Sequence, residues 1–270
     1  MGLVGFPGGV IEKTQKPIVK DISLQLYTVR HALERNVEKT LQEVRSAGYV
    51  AVEIGPLPPG LTPRRLGDLL RTIGLRVAAA HSELPLGERR DEVLSAAAEL
   101  GATSLIWHGW PRDPACDSLD GIRRLAERYG EAAGVAREHG LRFGLHNHWW
   151  ECEFVEGSYP YQLLHQLLPS SVFMELDVYW ARTAGLDPVR MLDELGTRVA
   201  MLHLKDGPAM HGQPMTALGD GVVNIPAIVR ASQPMAELVV ELDECATSPM
   251  DAARRSLEYL HRMLNEGTPN

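Results

Sequence analysis

Four short runs in this 270-residue chain end in pairs of residues that could do chemistry. Ala200–Asp206 carries His203 and Lys205, Val172–Asp177 carries Glu175 and Asp177, Arg142–His148 carries His146 and His148, and Leu238–Asp243 carries Glu241 and Asp243. In each run the two polar residues are two positions apart, so in a strand they share a face while the apolar residues between them take the other. A core strand has no structural need for an imidazole followed by an ammonium. Buried charge is costly unless it is paired or metal-bound. Four strands delivering carboxylates and imidazoles to one rim would build a site for a divalent cation.

The elements that must position these groups alternate along the chain. Strands are expected at Ile22–Tyr27, Ala51–Ile54, Arg76–His81, Ser104–His108, Arg142–His146, Val172–Asp177, Val199–His203 and Leu238–Glu241. Helical spacing fills the gaps. Asn36 reads as a cap before Val37, Leu41 and Val44, and Thr62-Pro63 as an N-cap followed by proline at the first helical position. Ser248-Pro249 repeats that signal before the last helix. Eight strand–helix units in strict alternation predict a parallel sheet closed into a single-domain (β/α)8 TIM barrel over residues 21–270, preceded by an N-terminal arm over 1–20. An open doubly wound sheet would want a Gly-rich phosphate turn after the first strand, and Leu26-Tyr27-Thr28 offers none.

In a barrel, ligands gather at the carboxyl ends of the strands. Glu53, His81, His108, His146, Asp177, His203 and Glu241 all fall there, on seven of the eight strands. Two carboxylates and two imidazoles with no thiolate suit Mn²⁺, Mg²⁺, Co²⁺ or Zn²⁺, and an exchangeable Mn²⁺-like ion fits a sugar substrate best. Trp110, Trp149, Trp150, Tyr179 and Trp180 lie near the same rim, where aromatic faces would pack on a sugar ring.

Composition narrows the partners. The net charge of -8 disfavours a nucleic-acid surface, and no run approaches the ~20 apolar residues of a membrane span. Three cysteines without a CxxC pair suggest a reducing compartment, and the start of the chain lacks a basic leader and a long apolar core, so a cytoplasmic protein is expected.

The motifs LQLYTVR, GLHNHWWE, ELDVYWARTAGLDPV, MLHLKDG, LGDGVVNIPAI and VVELDE, in that order, resemble the xylose-isomerase-like TIM-barrel superfamily, and within it the sugar phosphate isomerase/epimerase group. The resemblance runs from about Ile22 to the last helix. It implies one divalent ion held by the fifth to eighth strands, with His146, Asp177, His203 and Glu241 as the expected ligands, of which Asp177, His203 and Glu241 match the pattern. Epimerases of the family place a glutamate on the fifth strand, as half of an opposed acid/base pair, where this chain has His146. Glu151 or His148 is then the candidate to replace it. The departure leans toward relatives of the inosose dehydratase and 3-keto-sugar lyase kind.

The resemblance therefore implies a metal-dependent isomerase or epimerase that removes a proton α to the carbonyl of a keto-sugar, with β-elimination as the alternative outcome. No Arg cluster or Gly-rich cradle offers to bind a phosphate, so an unphosphorylated keto-sugar is expected. In that reading Glu241, Lys205 and Glu151 are catalytic, and Glu53, His81, His108, Trp110, His148 and Trp180 contact the substrate. A homodimer or homotetramer is expected, as for many relatives. An abasic-site endonuclease on the same barrel is disfavoured by the negative charge, and a non-catalytic sugar-binding barrel remains a rival.

Overall fold

The computed structural model describes residues 22–266, so the expected arm lies outside the described residues. Eight parallel strands run in sequence order: β1 (Ile22–Gln25), β2 (Ala51–Ile54), β3 (Arg76–Ser82), β4 (Ser104–Trp107), β5 (Arg142–His146), β6 (Phe173–Asp177), β7 (Val199–Leu204) and β8 (Glu237–Val240). β8 closes on β1 through Ile22 opposite Leu238, which makes the sheet a barrel. Helices follow the strands and pack their apolar faces on its outside, forming one continuous core. Two starts obey the sequence signals: Asn36 Oδ1 accepts the Lys39 N–H at 3.0 Å and Thr62 Oγ1 accepts the Arg65 N–H at 3.2 Å. Ser118 Oγ caps a further helix, accepting the Gly121 N–H at 3.1 Å.

Three expected strands are trimmed at their carboxyl ends. β1 stops at Gln25 because its own side-chain Oε1 accepts the Tyr27 N–H and turns the chain into a 3-10 segment, Leu26–Val29. β4 stops before His108 and β8 before Glu241. Both polar residues thus stand one position past the ladder, where the chain begins to leave the wall. A short helix, Val178–Thr183, was not expected. It forms because Asp177 Oδ1 accepts the N–H groups of both Tyr179 and Trp180 at 2.9 Å.

The barrel interior is layered by the strand period of two. Ala79, Ile106, Phe173, Met201 and Val239 form a separate apolar plug. The residues two positions further along the same strands are His81, His108, Glu175, His203 and Glu241. The alternation that builds the plug therefore aims a polar layer at the same axis, one rung higher. β5 contributes Gly144 to the lower rung, because the Phe173 ring fills the place a β-carbon would take. Gly144→Ala is expected to overpack the plug and cost about 1–3 kcal/mol of unfolding free energy. Combining it with Phe173→Leu should recover most of that loss in urea melts.

Two irregularities sit beside the polar layer. The β2–β3 register shifts between Val52 and Glu53, and the β6–β7 register between Met174 and Glu175, leaving Ala78 and Ala200 as extra residues. Such bulges re-aim the side chains that follow them. Opposite the bulges, on the unbulged partner strands, stand Glu53 and Glu175, both with 0% exposure.

Candidate active site

The carboxyl end of the barrel opens into a cavity of ≈ 630 Å³. His81, His146, His148, Lys205, Glu241 and Asp243 come from four different strand ends and line its depths, while Trp110, Trp149 and Trp180 wall its side. Of the expected site residues, His108 also lines it. Its Nδ1 accepts the Trp110 N–H at 3.0 Å and its Nε2 lies 3.6 Å from Glu83 Oε1.

Donor atoms of Asp177, His203 and Glu241 lie within 4.8 Å of one another. Asp177 divides its carboxylate: Oδ1 caps the following helix, and buried Oδ2 makes an ion pair rather than a hydrogen bond, with Lys205 Nζ at 2.9 Å. His203 Nδ1 is likewise buried without one, although Glu241 Oε2 stands 2.7 Å away. Its other nitrogen, Nε2, is 2.5 Å from Glu53 Oε2. A histidine gripped at one nitrogen by a carboxylate and open at the other is the arrangement that orients an imidazole toward a metal. Asp177 Oδ2 and His203 Nδ1, buried without a hydrogen bond, and Glu241 Oε2 beside them, with Lys205 as the present counter-charge, offer a donor set that fits a divalent ion, which Asp177, His203 and Glu241 would hold.

His146 falls into a different set. With His81, Glu175 and His203 it forms a second group of mutually close donor atoms. Its Nδ1 is 3.1 Å from Glu175 Oε2, and its Nε2 points toward Asp177 Oδ2 at 3.8 Å. The structure thus joins three of the four expected ligands in one set and turns the fourth toward a carboxylate absent from the expected site. Glu175 is that missed residue. The i, i+2 pairing with Asp177 was its only signal, and nothing in sequence tells a floor residue from a rim residue.

Glu53 does not reach the cavity. Its Oε2 accepts from Gln25 Nε2 at 2.7 Å and contacts His203 and His81 from below, so it positions imidazoles. Burial opposes its ionisation, but the charges of His81 and His203 hold it well below the ordinary carboxylate range. Burial pushes Glu175 the other way, helped by neighbouring Glu53. His81 bonds Glu175 Oε2 at 2.7 Å; burial works against its charge, yet Glu53 and Glu175 together raise it to about 10 from the ordinary 6.5. A base raised by folding stabilises the fold below its unfolded pKa, and that contribution fades as pH climbs through the folded value. Metal-free protein should therefore lose stability between about pH 6.5 and 10, and His81→Gln should flatten that slope in melts across the range.

Lys205 is the other buried cation. Its Nζ lies 2.9 Å from Asp177 Oδ2, 2.7 Å from Glu241 Oε2 and 2.8 Å from Asp243 Oδ2. Despite burial, these carboxylates raise it well above its ordinary value. Burial opposes the charge of Glu241 too, but Lys205 and His203 hold it below the usual range. Asp243 behaves differently. Burial lifts it to about 6 against the pull of Lys205, with Glu241 and Asp177 adding to the rise. His146 and His148 are pushed down, His148 to about 3, first by burial and then by neighbouring positive groups.

Glu151 is not in the cavity. It lies behind the wall, against Leu145, Tyr161 and Leu164, and its Oε2 accepts the His148 N–H at 2.8 Å. It fixes the loop that carries His148. Asn147 does similar work: its Oδ1 accepts the Asp177 N–H at 2.9 Å and its Nδ2 donates to the Asp177 carbonyl at 3.3 Å. His148 stacks on Trp150 with ring centroids 4.2 Å apart. Trp150 and Tyr179 are core residues, whereas Trp180 faces the cavity and packs on Trp149 at 5.0 Å.

Asp206 anchors the long loop after β7. Its buried carboxylate accepts four backbone N–H groups, from Gly207, Gly219, Gly221 and Val223. A β-carbon at Gly221 would collide with Asp206 and Gly207, which explains the glycine in LGDG. Asp206→Asn keeps one acceptor oxygen and is expected to cost about 2 kcal/mol. Limited proteolysis should then cut within 207–224 first.

The sequence matches the model of the xylose isomerase-like TIM-barrel family over residues 41–263. The chain belongs to that family. No curated protein matches its sequence. Among solved structures, a sugar phosphate isomerase/epimerase from Parabacteroides distasonis ATCC 8503 is 22% identical, covering 93% of this chain and 96% of its own, with a TM-score of 0.76. The probable 3-DHS dehydratase AsbF of Bacillus anthracis is 15% identical, with 89% and 98% covered and a TM-score of 0.71. The IOLI protein, solved with a binding zinc atom, is 13% identical, with 93% and 100% covered and a TM-score of 0.68. At these identities the likeness is one of fold. Among the described residues, no helix is long and apolar enough to cross a membrane.

Proposed function

We propose that this xylose isomerase-like protein is a divalent-metal-dependent isomerase or epimerase of an unphosphorylated keto-sugar, working by proton removal α to the carbonyl. The observation that carries the reading is the convergence of Asp177, His203 and Glu241 donor atoms beside a cavity walled by tryptophans. An ion held there, with Mn²⁺ the first choice, would supply Lewis-acid polarisation of the substrate carbonyl.

The chain's own groups divide the remaining work. Glu241 is held ionised by Lys205 and His203, which suits a ligand and weakens it as a base. Asp243 lines the cavity and titrates near 6, the range in which a general base works best. Asp243 is therefore the proton acceptor, and Lys205, bonded to it at 2.8 Å, stabilises the resulting negative charge on substrate oxygen. His148 is neutral and lines the cavity, placed to return or orient a proton. His81 and His108 bind hydroxyls.

Lys205 also supports a second reading. An ammonium beside the base can protonate a leaving β-oxygen, which converts the same first step into an elimination. The test is incubation of Mn²⁺-loaded protein with ketoses, inososes and 3-keto-glucosides in D₂O, followed by NMR. Deuterium at the α-carbon of an intact sugar supports isomerisation or epimerisation, and loss of a β-oxygen supports the lyase. No exchange into any of them overturns both. The protein is further proposed to act in the cytoplasm as a homo-oligomer, which sedimentation would check.

A further inference from the structure

The strand register sets His146 of β5 beside Glu175 of β6, and Asp177 of β6 beside His203 of β7. Side chains at paired positions share a face, so the barrel itself places a carboxylate against an imidazole at the floor and again at the rim. At the floor, three ring nitrogens surround one oxygen. Glu175 Oε2 is 2.7 Å from His81 Nε2, 3.1 Å from His146 Nδ1 and 3.2 Å from His203 Nε2. His81 Nε2 and His203 Nε2 also face Glu53 Oε2, at 3.3 and 2.5 Å. A ring nitrogen held between two carboxylate oxygens carries a proton. Glu175 Oε2 therefore accepts, and a proton on Oε1, buried without a partner, would find no acceptor.

That oxygen decides the state of the His146 ring. Contact between Nδ1 and an accepting oxygen is attractive only if Nδ1 holds the proton. Burial, with neighbouring positive groups, keeps His146 neutral. A neutral imidazole has one N–H, so Nε2 is left with its lone pair. Nε2 turns toward Asp177 Oδ2 at 3.8 Å, too far for a hydrogen bond. Two donors each about 2.1 Å from one ion stand roughly 3–4 Å apart, so this gap suits a shared cation.

We propose that Glu175 is a positioning residue of the cation site: it accepts the Nδ1–H of His146, aims the Nε2 lone pair at the ion, and makes this imidazole the fourth donor beside Asp177, His203 and Glu241. This rests on the metal reading above and goes further by naming the fourth donor and the buried carboxylate that selects its nitrogen. Glu53 does the same for His203 through the opposite nitrogens.

The test is ¹⁵N NMR of full-length protein labelled at histidine, metal-free and with Zn²⁺ as a diamagnetic probe. Metal-free His146 should show a protonated Nδ1 and a bare Nε2, and Zn²⁺ should shift Nε2 while Nδ1 keeps its proton. Zn²⁺ affinity is then read by calorimetry. Glu175→Leu should weaken it about 10–100-fold, the usual cost of losing a partner behind a histidine ligand. Glu175→Gln, which keeps an acceptor oxygen, should retain most of it. In a His146→Ala background, Glu175→Leu should cost no more than about twofold, because its effect passes through a ring already gone. A metal-free His146 with its proton on Nε2, a Zn²⁺ shift confined to His203, or an equal loss from Glu175→Leu with and without His146 would each overturn the proposal and leave the three-donor site standing. No Zn²⁺ binding by the wild type would overturn the metal reading as well. If Glu175→Leu does not fold, the wild-type spectra decide alone.

Discussion

Glu241→Gln and Asp177→Asn should each lose bound divalent metal and α-proton exchange together, whereas Asp243→Asn should lose exchange and keep the metal. The distinction follows from where the three carboxylates point. Asp177 Oδ2 and Glu241 share a close donor set with His203, and Asp243 stands outside it, bonded to Lys205. Asparagine at 177 keeps an oxygen for the helix cap that Oδ1 now provides, so the variant should fold. Loss of a direct ligand should weaken metal binding at least as much as loss of a partner behind a ligand, which typically costs about 10–100-fold. Loss of the proton acceptor should slow exchange about 10²–10⁴-fold. Metal is counted by mass spectrometry after dialysis, and exchange by NMR in D₂O. Full metal retention in both ligand variants would remove Asp177 and Glu241 from the site. Unchanged exchange in Asp243→Asn would return the base role to Glu241.

Lys205→Met should be the most destabilising of the changes considered. The ammonium is 1% exposed and neutralises Asp177, Glu241 and Asp243 at once. Removing one partner of a buried charge pair costs about 3–5 kcal/mol, because the other charge is left uncompensated. A divalent cation bound by Asp177 and Glu241 would replace part of the missing charge. Added Mn²⁺ should therefore raise the melting temperature of Lys205→Met more than that of the wild type. Adding Asp243→Asn to Lys205→Met should recover part of the loss. Wild-type stability in Lys205→Met would show that the three contacts contribute nothing net.

Much of this was legible in the sequence. Pairs two residues apart at the ends of apolar runs fixed the face and the rim, because a strand has no other way to present them. His203 with Lys205 and Asp177 with Glu175 are instances. The barrel followed from alternation alone. What escaped was depth and cross-strand company. Glu53 and Glu175 sit under the cavity beside register shifts where β3 and β7 each carry an extra residue, and a bulge leaves no mark in a run such as Val-Ala-Ala-Ala-His. Glu151 looked like a rim carboxylate but faces the layer between barrel and helices, where burial raises its pKa to about 7. The Lys205 clasp joins three strands far apart in sequence. Asp243 was visible as the partner of Glu241, but its suitability as a base depends on that clasp.

Asp177 serves two masters, and this limits how the protein can be altered. One oxygen starts the helix that carries Trp180, and the other faces the cation site. Any rotation of that carboxylate to suit a new ion would drag an indole with it, and any shift of the indole would disturb the ion. Retargeting the proposed site to a different ligand is therefore best begun at Trp110, which stands on a separate loop.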